Sequence, residues 1–153
     1  MWWIISGIVL IVLVVAVYFI VTNYLQFDLS QKQKIYESLE KFGKLDSDGP
    51  FFKYHYNNEK YYLLVIKVHR HARFSFNSKI VWESYHGSQK RFLDQRVFGN
   101  LPGKKIVIIY PHVGPFLRYE DEHNIVFTKP NERFWDMYVM AANDIEETLT
   151  KGF

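Results

Sequence analysis

Twenty consecutive residues without a charge, Trp2 to Val21 in MWWIISGIVLIVLVVAVYFIVT, constrain this chain more than any other stretch. At about 1.5 Å of rise per residue they cover the roughly 30 Å hydrocarbon thickness of a bilayer. Only a helix, which satisfies its backbone polar groups internally, makes that crossing as a lone segment. A secretory signal has a basic n-region, an apolar core of about 7–15 residues and small residues before a cleavage site. Here no Lys or Arg precedes the run, the run is longer, and Val21, Thr22, Asn23 and Tyr24 offer no A-x-A pattern. The chain has no cysteine, which removes a lipidated N-terminal Cys and any disulfide framework. A buried core helix is the alternative, but the run exceeds the usual length of one. Trp2 and Trp3 at one end, with Tyr18, Phe19 and Tyr24 at the other, occupy the headgroup levels that amphipathic rings favour.

The expected organisation is an uncleaved transmembrane anchor over residues 1–23, a connector over 24–29 and one globular domain over 30–153. Lys32, Lys34, Lys41 and Lys44 follow the span within about 20 residues, the range of the positive-inside bias. They favour a cytoplasmic domain held at the inner face of a cell membrane, against the interleaved Asp28, Glu37 and Glu40.

The remainder has the size of one domain with its own core. Eleven Tyr and 13 Phe exclude disorder, because disordered segments are poor in aromatic residues. Charge is distributed unevenly. Residues 51–118 carry 12 Lys or Arg against 3 Asp or Glu, and residues 119–153 carry 3 against 8. A basic middle meets anionic lipid, nucleic acid, an acidic partner, or the chain's own acidic tail.

Ser30 with Gln33 has capping-box spacing, and Ile35, Leu39 and Phe42 share one face, predicting an amphipathic helix that ends near Gly43. Leu45–Pro50, LDSDGP, is a turn. Phe51–Tyr56, NNEK and Tyr61–Arg70 form a β-hairpin whose second strand, apolar through Ile66, is central. Arg73–Phe76 and Lys79–Ser84 alternate, as one interrupted strand or as a hairpin. Residues 86–103 carry a turn at HGSQK, a short strand or helical turn at RFLDQRVF and a loop at GNLPG. Lys104–Tyr110, Phe116–Glu120 and Ile125–Thr128 are strands. Asn131 caps a C-terminal helix in which Phe134, Tyr138, Ala141 or Ala142, Ile145 and Leu149 repeat at helical spacing, with Gly152 past its end. The fold class is α+β: a mostly antiparallel curved sheet of about 5–7 strands packed with an N-terminal and a C-terminal helix. A half-open barrel is the alternative.

For chemistry, His69 and His71 lie two apart on an expected strand, so both imidazoles share a face and can ligate zinc or iron. A third ligand has to come from His55, His86, His112 or Glu120, and Arg70 and Arg73 oppose a bound cation. His86-Gly87-Ser88 is an ordinary turn composition, no G-x-S-x-G elbow occurs, and the glycines form neither a P-loop nor a G-x-G-x-x-G. No catalytic group and no cofactor is expected. A basic strip of Lys67, Arg70, Arg73, Lys79, Lys90, Arg91, Arg96, Lys104 and Lys105 is interleaved with Phe74, Phe76 and Phe92. The ring-rich YPHVGPFLRY adds Tyr110, His112, Phe116, Arg118 and Tyr119 as a binding loop on a rigid scaffold. The partner-binding set is Lys67, Arg70, Arg73, Lys90, Arg91, Tyr110, His112, Phe116, Arg118 and Tyr119.

These features favour a single-pass membrane-anchored protein-interaction module of the assembly-factor, accessory-subunit or immunity/exclusion kind. Its partners are the bilayer through residues 2–21 and a protein in or at the membrane. One alternative is a membrane-tethered enzyme, metal-dependent through the His69/His71 face, acting on lipid or envelope material. Another is a binder of anionic lipid headgroups or nucleic acid through the basic strip. Nucleic acid is disfavoured, because alternation within strands buries the rings that stacking needs.

Overall fold

No Gly or Pro lies between Ile8 and Phe42, and nothing else in that stretch breaks a helix. The computed structural model describes residues 2–47, 49–112 and 114–153. Met1, Asp48 and Val113, which belong to the expected anchor, the LDSDGP turn and the YPHVGPFLRY segment, lie outside them. Helix α1 runs unbroken from Trp2 to Glu40. The chain divides into two compact units, residues 1–34 and 35–153.

The first unit is helical throughout its described residues, and it is long and apolar enough to cross a membrane. None of its most apolar stretch is buried, unlike the core helix of a soluble domain. Residues 24–29, expected as a connector, are helical too. Ser30 and Gln33 therefore sit inside α1 instead of capping it, and Asp28 and Lys32 pair one turn apart at 3.5 Å.

The second unit contains two five-stranded mixed sheets in place of the single mostly antiparallel sheet expected. The first has the order β1-β2-β3-β7-β10: Lys44–Asp46, Phe52–Tyr56, Glu59–Lys67, Lys104–Tyr110 and Met137–Ala141. The second has the order β6-β5-β4-β8-β9: Gln89–Asp94, Val81–His86, Arg73–Phe76, Phe116–Tyr119 and Ile125–Phe127. The pairs β3–β7, β7–β10 and β4–β8 are parallel. Two helices complete the fold: α2, Arg96–Gly99, and α3, Ile145–Lys151.

The first sheet is covered on both faces, which is why KKIVIIY and MYVMA read as unbroken apolar runs. On one face, Ile106, Ile108, Tyr138, Met140 and Leu63 meet Ile35 and Leu39 of α1 and Ile145 and Leu149 of α3. On the other, Val107, Ile109, Met137, Val139 and Ala141 meet Phe74, Phe76, Trp82 and Phe116 of the second sheet. The layers are therefore helices, sheet, sheet. Every residue of Met137–Ala141 is buried, so the predicted C-terminal helix is correct only from Ile145. Its first part is a strand laid parallel to β7.

Asn57 and Asn58 both take positive φ between β2 and β3, making that hairpin's turn two residues long. β4 and β5 are a hairpin and not one interrupted strand. Leu93 and Asp94 of RFLDQRVF end strand β6, and Arg96–Gly99 form the helical turn.

A cationic end and an open face on the second sheet

Alternation along β4, β5, β6 and β8 sends Phe74, Phe76, Trp82, Leu93 and Phe116 into the core. The same alternation leaves Arg73, Glu83, Tyr85, Lys90, Phe92 and Leu117 on the opposite face. Strand register places Arg73 beside Tyr85 and Tyr85 beside Lys90, one row across three strands. The next row runs Ser75, Glu83, Phe92 in one direction and Leu117, Phe127 in the other. Phe92 and Phe127 are 62% and 65% exposed there, large rings on a face that does not pack on the core.

Glu83 is the only carboxylate between Lys60 and Leu93, and it is buried on this outer face. Tyr85 donates its hydroxyl to Glu83 at 2.6 Å, and Lys90 Nζ lies 2.9 Å from the carboxylate. Burial acts to raise the Glu83 carboxyl, but the hydrogen bonds from Tyr85 and Lys90 prevail and hold it below the usual carboxylate value. Hydrogen bonds with Tyr85 and Glu83 raise Lys90 in turn. The ammonium lies 4.4 Å from the Phe92 ring centre and 5.1 Å from that of Tyr85. Lys90 is thus a fixed cation beside an exposed ring.

The loop 68–72 brings further positive charge to the same end. Val68 and Ala72 are buried. Val68 donates its N–H to the Tyr110 carbonyl and Ala72 to the His69 carbonyl, each at 2.9 Å. These anchors make a tight turn that turns His69, Arg70 and His71 outward, all three exposed. Beneath it, His112 Nδ1 lies 3.0 Å from the Arg70 carbonyl. A carbonyl only accepts, so Nδ1 carries the proton. Among the described residues no carboxylate pairs with Arg70, Arg73 or Arg91.

The histidines gather here without forming a chelate. His69 stacks on His86 with ring centres 3.4 Å apart, and His71 donates its backbone N–H to His69 Nδ1 at 3.3 Å. Among the described residues no group of three or more His, Asp or Glu side chains is placed to hold a metal ion. Desolvation, then the neighbouring His86 and His71, lower the His69 pKa.

The sequence-derived set therefore separates. Arg70, Arg73, Lys90 and Arg91 converge on one end of the second sheet. Lys67, partly buried, ends β3 in register with Tyr110. Tyr110, His112 and Phe116 are buried: they support the loop and the core in place of forming a binding surface. Arg118 is internal as well, bridging Glu120 at 2.9 Å and Glu132 at 2.7 Å with its guanidinium over Phe134. Tyr119 lies at the other end of the sheet, lining an open cavity of about 320 Å3 with Asn77, Lys79, Glu122 and Trp135. The rest of the basic strip disperses: Arg96 pairs with Asp94, Lys104 with Glu59, and Lys105 is buried and donates to the Gly103 carbonyl. Sequence reasoning missed Glu83 and Tyr85. The signal was present, since E-x-Y within an alternating strand puts both on one face.

Comparison with protein-family models, with curated proteins and with solved structures found no match.

Proposed function

We propose that this chain is a single-pass membrane-anchored interaction module whose domain holds an acidic partner protein at the membrane. One observation carries this reading. Among the described residues Arg70, Arg73 and Arg91 have no carboxylate partner, and with the fixed Lys90 they lie toward one end of the second sheet. Arg73 and Lys90 are on the face of exposed Phe92 and Arg91 is on the other, with one buried carboxylate, Glu83, in that region. Arginine and aromatic residues are the usual anchors of protein interfaces, and opposed potentials steer encounter and select partners. The anchor supplies location, and the lysines that follow it favour a cytoplasmic domain.

The test is affinity purification from detergent-solubilised membranes, with the full chain and with an Arg70→Glu/Arg73→Glu/Arg91→Glu variant. The intact chain is expected to retain a stoichiometric protein that the variant loses while its circular dichroism and thermal midpoint hold. Equal retention by the variant, or no stoichiometric partner with either chain, overturns the reading. Reporters fused at the C-terminus test the side of the membrane, and a signal from an externally active reporter refutes cytoplasmic placement.

A further inference from the structure

Strand β6 is the long open edge of this domain. The edges β1 and β9 are three residues each, and edge strand β10 is wholly buried. β6 spans six residues, pairs only with β5, and exposes Gln89, Lys90, Arg91, Phe92 and Asp94. Its hydrogen-bonding phase follows from the turn. Gly87 and Ser88 form a two-residue connection, so His86 and Gln89 are a hydrogen-bonded pair. The Gln95 N–H donates to the Ile80 carbonyl at 2.7 Å and fixes the same phase at the far end. Ser84–Arg91 and Trp82–Leu93 are then the other bonded pairs, and Lys90, Phe92 and Asp94 direct their N–H and C=O groups away from β5. Among the described residues no other segment takes up those groups.

We infer, resting on the interaction reading above, that an extended acidic segment of the partner adds to β6 as a sixth strand of the second sheet. Strand addition supplies affinity through main-chain hydrogen bonds and specificity through the flanking side chains. Those side chains are Lys90 and Phe92 on the outer face and Arg91 on the other, with Arg73 in the row of Lys90 two strands inward. An alternating acidic strand meets them in either of two phases: carboxylates beside Arg91 with apolar residues against Phe92, or carboxylates beside Lys90 with apolar residues on the face of Arg91. Lysine and arginine on an edge also discourage indiscriminate pairing, so the edge is open to an oppositely charged strand in particular. A second copy brings its own Arg73 and Arg91 to the same place.

The experiment uses the full chain in phosphatidylcholine nanodiscs, titrated with a synthetic alternating Glu–Val decapeptide. Two control peptides accompany it: the same sequence N-methylated at two adjacent central residues, which blocks both strand edges, and a Lys–Val counterpart. The acidic peptide is expected to bind, weakening as salt rises. The N-methylated and lysine peptides are expected to bind at least tenfold more weakly. Phe92→Pro, which removes one outward donor at a position where an edge strand tolerates proline, is expected to cost a similar factor with unchanged circular dichroism. Equal binding of the N-methylated peptide overturns strand addition and leaves the charged-interface reading standing. Equal binding of the lysine peptide, or no binding of the acidic one, overturns the inference through its charge argument. Absence of a stoichiometric partner from the intact chain in the purification above overturns the interaction reading itself. The native chain has no cysteine, so a Phe92→Cys variant that forms a disulfide-linked dimer assigns the edge to a second copy and overturns the inference. Complete loss of peptide binding in phosphatidylserine nanodiscs assigns the surface to lipid headgroups and does the same.

Discussion

The Tyr54 hydroxyl donates to the backbone carbonyl of Leu39 at 2.9 Å, and two residues along the same strand Tyr56 donates to the carbonyl of Leu149 at 2.6 Å. One strand thus caps the C-terminal turns of both α1 and α3, where carbonyls lack amide partners within the helix. The two caps differ. Leu39 O also accepts from the Phe42 and Gly43 amides, whereas among the described residues no amide beyond α3 reaches Leu149 O. Tyr54→Phe is expected to cost about 1 kcal/mol, and Tyr56→Phe nearer 2 kcal/mol because it strands a buried acceptor. Denaturant midpoints of the full chain in detergent check the order. Burial, then the neighbouring Tyr56, push the Tyr54 phenol up to about 12 from its ordinary 10.0. Its folded-state pKa is raised, so this stabilisation is complete below pH 10.0 and is lost as pH climbs toward 12.

Gly43 leaves α1 where there is no room for a side chain. A Cβ there lies 2.2 Å from the His55 carbonyl oxygen and 2.9 Å from the Tyr54 ring. One obstacle is backbone and the other is the ring that caps α1, so neither yields cheaply. Gly43→Ala is expected to destabilise the domain by about 1–3 kcal/mol. Gly87→Ala meets nothing within 4 Å and is strained only through its φ of 60°, so its cost is expected to be about 1 kcal/mol. Equal midpoints for the two variants contradict the steric argument.

Periodicity located most of these strands and misjudged one segment for a physical reason. β2, β3, β7, β8 and β9 stand where alternation or a long apolar run put them. Met137–Ala141 is buried on both faces, so it shows no alternation, and Phe134, Tyr138, Ala141 and Ile145 fall at helical spacing by coincidence. The connector at 24–29 failed for the complementary reason: Tyr24–Leu29 contains no helix breaker, and polarity alone does not end a helix. At the surface, the exposure of Arg70, Arg73, Lys90 and Arg91 was legible because charges stay in water. Tyr110, His112 and Phe116 were not, because a ring-rich segment has the same composition whether it lines an interface or fills a core.

The Tyr85–Glu83–Lys90 cluster makes stability sensitive to acid. Glu83's carboxyl is held low in the folded state, so its contribution is complete above the ordinary value of 4.5 and is lost as pH falls through the lower folded-state value. Glu83→Gln is expected to lower stability at neutral pH by about 1.5–3 kcal/mol, the scale of a hydrogen bond to a charged group, and to flatten the decline below pH 4.5. It also frees Lys90 from its position over Phe92, so peptide affinity is expected to change less than stability. Denaturant titrations at a series of acidic pH values decide this, and an unchanged slope in Glu83→Gln removes the cluster from the explanation.

The stacked His69 and His86 predict opposite pH trends for stability and for binding. His69 titrates below 6.5 in the folded chain, so the unfolded chain takes up its proton first and stability falls as pH drops through that range. Once taken up, however, the proton adds charge at the end of the sheet where β6 begins, on the ring stacked against His86, and an acidic strand gains affinity from it. As pH falls below 6.5 the full chain is expected to lose stability while binding the Glu–Val peptide several-fold more tightly. His86→Phe keeps the ring stack and removes one of the two imidazoles that oppose the His69 proton, so the stability slope is expected to shrink. Desolvation is the largest cause of the His69 shift, so the stability slope persists in part. A parallel fall in stability and affinity instead identifies the histidines as structural supports with no share in the interface.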